Sequence, residues 1–201
     1  MKNNARRIVV SLTLLLMCAP LTRAVPVKRA QSARTSRAYV DGAAARLSPA
    51  HVARLLRLNA PIGVPTLIPA GFRAERVTTR RDTKTSPGVA IIDYTIKYVG
   101  PRRKSFSIVS ANEGIGDLFL AEQTLSGLNP YFEDGIVVAY LDEDIVDGLP
   151  KKTVASQWMK SKRRYEVHRG ALASQMYHIV GHGLTPREAL SIMESLRYLK
   201  K

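Results

Sequence analysis

The chain of 201 residues is poor in thiols, rings and acids. Its single cysteine, Cys18, excludes an internal disulfide framework and gives no help to a thiolate metal site. Aromatic residues make up only 6%, too few for the exposed ring platforms of single-strand nucleic-acid binders. Asp plus Glu number 16 against 31 Lys plus Arg, a net charge of +15. Such an excess raises nucleic acid or an anionic membrane surface as a partner, but its position weakens that reading. Four of the 15 charges fall in 1–24 and four more in 25–47, leaving +7 for the remainder. That remainder is a mildly basic domain for which nucleic acid is disfavoured.

A long hydrophobic run is also missing. Ile8 to Leu16, interrupted by Ser11 and Thr13, falls well short of the roughly 20 apolar residues of a bilayer span. With the positive head Met1 to Arg7 and the small, helix-breaking stretch Ala19 to Ala24, it forms the three-part secretory pattern. The pattern predicts cleavage near Ala24 and a secreted or periplasmic product. Lipidation at Cys18 is the alternative, opposed by the bulky Met17 where a small residue normally precedes such a cysteine. Twin-arginine export from Arg6-Arg7 is not credited, because two arginines are ordinary in a positive head.

Val25 to Leu47 is rich in Ala, Ser, Thr and Arg with few large apolar side chains. It reads as a flexible basic leader, so the domains are expected as signal 1–24, leader 25–47 and one domain 48–201. Within the last, Ser48-Pro49 reads as an N-cap and first helical proline. Val52, Leu55, Leu56 and Leu58 then continue a short helix to about Asn59. Period-two runs from Phe72 onward predict strands at Arg73 to Thr79, Val89 to Val99, Ser105 to Ser110, Ile136 to Leu141, Thr153 to Met159, Arg164 to His168 and Gln175 to Val180. Gly100 to Arg103 would close a hairpin, and Leu118 to Leu128 has the character of a short helix. Thr185-Pro186-Arg187-Glu188 carries an N-cap, a first-turn proline and a capping-box glutamate. It predicts a helix to about Leu199 that buries Ala189, Ile192, Met193 and Leu196, with Lys200 and Lys201 at the negative end of its dipole. The fold class is α+β, a twisted antiparallel sheet with a packed C-terminal helix and a short N-terminal one.

Val64-Pro65-Thr66-Leu67-Ile68-Pro69-Ala70-Gly71-Phe72 is similar to the P-x-x-x-P-x-G-F opening of small exported bacterial domains of unknown function. Tyr177 to Ala189, followed by Ile192-Met193-Glu194-Ser195-Leu196, resembles their closing strand, turn and helix. Trp158, the Tyr94 to Ser107 hairpin and the Gly114-Ile115-Gly116 pair also match in placement. The resemblance implies a place in the cell envelope, where such domains sit beside lipoprotein-sorting or sigma-factor-regulating segments. It carries over no active site.

Several groupings invite chemistry. His168, His178 and His182 would suit zinc if they converged, but residues four apart on a strand lie about 13 Å apart. Asp142-Glu143-Asp144 with Asp147 offers oxygens to calcium without the spacing of a calcium loop, and reads as a solvated turn near Lys151-Lys152. Gly114 to Asp117 lacks the further glycine and the lysine of a phosphate loop. Ser126 and Ser174 lack a nucleophile-elbow pattern. Arg102-Arg103-Lys104 and Lys160 to Arg164 fall at expected turns; if these share one sheet edge they form a patch for anionic lipid, cell-wall polymer or another acidic partner, with Tyr98 and Tyr165 as available rings. No catalytic, metal or cofactor-binding residue is assigned. The expected function is a noncatalytic binding or regulatory role at the envelope, with an envelope protein or anionic surface as partner. The alternatives are an enzyme acting on an envelope polymer or lipid, and a polyanion-binding module using the basic turns.

Overall fold

In a computed structural model of the chain, the described residues are 38–86, 89–112, 116, 118, 120–141 and 152–201. The secretory segment with Cys18, the leader up to residue 37, Gly114, Ile115, Asp117 and the acidic turn 142–147 lie outside them.

The architecture is α+β and mostly antiparallel, as the alternation predicts. One sheet of eight strands follows the order β3-β4-β5-β10-β8-β7-β6, with β9 added to β10. Its long strands are β3 (Arg73–Ser86), β4 (Val89–Val99), β5 (Ser105–Ala111), β9 (Met159–His168) and β10 (Ala171–His182). The short ones are β6 (Leu125–Gly127), β7 (Ile136–Tyr140) and β8 (Thr153–Ser156). β10 organises the sheet, pairing with β5 along one edge and with β8 and β9 in turn along the other. Its alternation puts Tyr177 and Ile179, both fully buried, on one face and His178 on the other.

A second sheet has the order β1-β11-β2, where β1 is Tyr39–Val40, β2 Gly63–Pro65 and β11 Leu196–Leu199. β1 runs parallel to β11 and β2 antiparallel to it. Buried hydroxyls join the sheets: Tyr94 Oη accepts from Gly63 N at 2.6 Å and donates to Gly63 O at 3.0 Å, and Tyr177 Oη donates to Pro61 O at 2.8 Å. Burial pushes both phenols well above their ordinary range, so they remain neutral and able to donate.

Helix α1 (Pro49–Leu56) starts where Ser48 Oγ accepts from His51 N at 3.2 Å, and it buries Leu55. Helix α2 (Pro186–Glu194) packs over β6, β7, β8 and β10. Its capping box is complete: Thr185 Oγ1 accepts from Glu188 N at 3.2 Å, and Glu188 Oε2 accepts from Thr185 N at 2.7 Å. These bonds, chiefly the Thr185 amide, hold the Glu188 carboxyl below its usual range. The opening motif also has a physical basis, since Gly71 at φ 78° turns the chain into β3 and Gly183 at φ 70° turns it out of β10.

Five expectations need correction. The domain begins before Ser48: Tyr39 and Val40 form a strand, Ala45 is fully buried and Leu47 nearly so. Arg46 donates to the carbonyls of Ile68, Pro69 and Phe72 at 3.0, 2.9 and 2.7 Å, so part of the supposed leader clamps the opening motif. The last helix stops at Glu194 rather than Leu199, because the Ser195 hydroxyl turns back to Ile192 O at 2.7 Å and accepts from Thr66 N and Leu67 N. Leu196–Leu199 is then drawn into the middle of the small sheet, and Lys200 and Lys201 lie beyond that strand, away from the helix end. Leu118 to Leu128 gives no helix among its described residues, only β6 and a single bridge from Leu120 to Leu141. The strand expected over Thr153 to Met159 breaks after Ser156, and Lys160 to Arg164 is not a turn but the body of β9.

Candidate functional site

The fold assembles a site that the linear sequence scatters. β9 supplies Arg163, Arg164 and Tyr165, the end of β11 supplies Tyr198 with Lys200 and Lys201 behind it, β1 supplies Tyr39, and the turn after α1 supplies Asn59. They line an open cavity of about 380 Å³, within the size range of small-molecule sites. Four of its lining residues are cationic, Arg163, Arg164, Lys200 and Lys201, and no Asp or Glu is among its described lining residues.

Rings organise the cations. The Arg163 guanidinium lies 5.1 Å from the ring centre of Tyr39 and 5.6 Å from that of Tyr198, a double cation–π contact. Tyr198 is itself fixed, since its hydroxyl donates to Tyr131 O at 2.9 Å and lies 2.8 Å from Ser161 Oγ. Burial raises its phenol pKa. Arg197 sits 5.1 Å over the Tyr131 ring, and Lys201 Nζ donates to Asn59 Oδ1 at 2.9 Å. The ring contacts of Arg163 leave its N–H groups able to fork onto a carboxylate or phosphate, whereas Arg197 Nη1 donates to Glu194 O at 3.0 Å and Leu196 O at 2.6 Å. Arg163 also borders a second cavity of about 210 Å³ with Lys162 and Tyr131.

The two basic clusters do not form one patch. Arg164 pairs with Ser174 near one end of β10, whereas Ser105, just after the Arg102–Arg103 turn, pairs with His182 at the other. Eight residues of strand separate them by roughly 26 Å. Within Lys160 to Arg164, Lys160 is spent on Glu133 at 2.8 Å, whose carboxyl it holds below the usual range. Tyr98 is fully buried and donates to Ala45 O at 3.0 Å, so it offers no platform. Tyr165 does reach the cavity. Tyr39 lies in a segment whose composition predicts a flexible leader, and Lys200 and Lys201 in one that predicts a helix end, so local sequence does not mark them as cavity residues. The alternation Leu196-Arg197-Tyr198-Leu199 was the available signal.

The histidines do not converge. His168 pairs with Ala171 at the far turn, and His178 and His182 stand four residues apart on β10. Among the described residues no three His, Cys, Asp or Glu side chains gather as a metal site. His182 Nδ1 lies 3.1 Å from Thr153 Oγ1. His178 is only 6% exposed, and its ring centre is 4.0 Å from that of Trp158. Its Nδ1 has no hydrogen-bond partner.

Burial brings the His178 imidazole down to about 4. Above pH 6.5 it is neutral in both folded and unfolded chains; between 6.5 and about 4 only the unfolded chain takes up the proton, so stability falls as pH falls through that window. Denaturant melts at about pH 7 and 4.5 are expected to show a loss of about 2.5 kcal/mol from this group that is absent in His178→Phe, which keeps a ring against Trp158. An equal pH dependence in both proteins would refute the assignment.

Fold and cavity together define the class: a sheet domain with a tyrosine-braced cationic cavity whose described lining residues include no Asp or Glu. No protein-family model, no curated protein and no solved structure matches the chain.

Proposed function

We propose that this is an exported or envelope-associated, noncatalytic binding domain that holds an anionic ligand in the cavity between β1, β9 and β11. One observation carries the binding reading: a tyrosine-walled cavity is lined by four cationic residues with no described acid among its lining residues. Arg163 is braced by Tyr39 and Tyr198 before any ligand arrives. The secretory pattern of 1–24 and the resemblance to small exported domains support the location. No helix among the described residues is long and apolar enough to cross a membrane. An enzymatic reading draws no support from the histidines, which stand apart.

The test is direct binding of a soluble carboxylated polymer, polygalacturonate, to the full chain. For two neutralised charges, affinity should fall roughly 15-fold between about 20 and 150 mM salt, and Arg164→Ala should weaken it about tenfold. Salt-insensitive binding, or binding that maps to the Arg102–Arg103 turn, would overturn the reading. Intact mass of protein from fractionated host cells tests location: a soluble product beginning at Val25 is expected, and a form retaining Met1 or carrying acyl mass on Cys18 would count against it.

A further inference from the structure

The two cavities beside Arg163 are not independent. Both are walled by Tyr39, Arg163 and Tyr198, with Arg164, Lys200 and Lys201 on one side and Lys162 with Tyr131 on the other. The larger, about 380 Å³, is of a size to take one small unit, and the smaller, about 210 Å³, is below the usual range for a ligand of its own. A pair of adjoining cationic hollows across a shared tyrosine–arginine wall suits a ligand that continues from one to the other with a charge in each.

We infer that the ligand is a linear anionic glycan whose successive charged units occupy the two cavities. This rests on the anion-binding reading above and deepens it. Tyr39 is 40% exposed, leaving part of its ring open to the C–H face of a sugar, while Arg163 beside it offers donors to the acidic substituent. A single-stranded nucleic acid would need a succession of open rings, and here Tyr198 is buried and Tyr131 lies under Arg197. An acidic peptide adding as a strand beside β9 meets an occupied edge: Lys162 N–H donates to Tyr131 O at 3.1 Å and Glu133 N–H to Lys160 O at 2.8 Å. Of the large exposed hydrophobics among the described residues, Leu67, Leu128 and Leu172 lie outside both cavities, so no apolar rim surrounds them for insertion into a membrane.

The experiment measures affinity of the full chain for galacturonate monomer, dimer and hexamer at one salt concentration, beside single-stranded polynucleotide and phosphatidylglycerol vesicles. The hexamer should bind at least about tenfold more tightly than the monomer and more tightly than polynucleotide or vesicles. Tyr39→Ala, which changes no charge, should weaken hexamer binding about fivefold, and Arg163→Ala about tenfold. Arg102→Ala, an equal loss of charge at the other end of β10, should change it less than twofold. Monomer and hexamer binding equally, both dependent on Arg163, would overturn the glycan-chain inference while leaving the anion site intact. Tighter polynucleotide or vesicle binding would overturn it in favour of those ligands. Equal losses for Arg102→Ala and Arg163→Ala would reduce the interaction to net charge, and failure of every probe would sink both readings.

Discussion

A chain that begins at Ser48 is expected to be unfolded or molten at 25 °C, whereas the full chain melts cooperatively. Removing residues 38–47 takes away two buried apolar side chains, Ala45 and Leu47. It also removes the acceptors for Tyr198 N and Lys200 N, which bond to Ala38 O at 2.9 Å and Val40 O at 2.7 Å. Tyr98, fully buried, loses Ala45 O and is left with a hydroxyl facing no acceptor, a cost of about 1–3 kcal/mol by itself. With the Arg46 clamp gone as well, the loss is on the order of 6–10 kcal/mol. That rivals the whole stability of a small domain. Arg46→Ala alone, which frees the carbonyls of Ile68, Pro69 and Phe72, should cost about 2 kcal/mol in a urea melt. A chain from Ser48 with an unchanged midpoint would show these contacts to be idle.

Asn129→Leu should lower stability by about 3–4 kcal/mol with little change in core volume. Asn129 is 3% exposed, and its amide nitrogen lies 3.1 Å from each of three carbonyls, of Met193, Glu194 and Leu196, where α2 ends and β11 begins. Its Oδ1 accepts from Tyr131 N at 3.1 Å. Two amide hydrogens shared among three acceptors satisfy groups that a helix end otherwise leaves bare. Leucine strands them in the interior. Asn129→Asp is the sharper test, since it keeps the acceptor for Tyr131 but sets a carboxylate against carbonyl oxygens, and should be at least as damaging. Amide exchange at Leu196–Leu199 should accelerate ahead of the large sheet in either variant. Unchanged exchange there would remove Asn129 from its place at the junction.

β4 was legible to the residue and the start of α2 to its capping box, because local periodicity and backbone donors of the first turn suffice to specify them. The end of α2 was not. Nothing nearby in sequence announces that Asn129, more than sixty residues upstream, and Thr66 will take up its terminal carbonyls. β1 was missed for a related reason: two residues have no periodicity, and Tyr39–Val40 becomes a strand only because β11 lies beside it.

The cavity shows the same division. Its cations were visible as a run at Lys160 to Arg164 and a pair at Lys200-Lys201, but taken as a turn and a helix end they had no reason to meet.

By itself, the sequence determined the fold class, most of the strand set, both helix starts and an excess of basic charge, since each is written in spacing over a few residues. Tertiary structure alone decided where the domain begins, where its last helix stops and which cations share a cavity. Those outcomes depend on hydrogen bonds and ring contacts between residues distant in the chain, which the folded backbone brings together and no local pattern records.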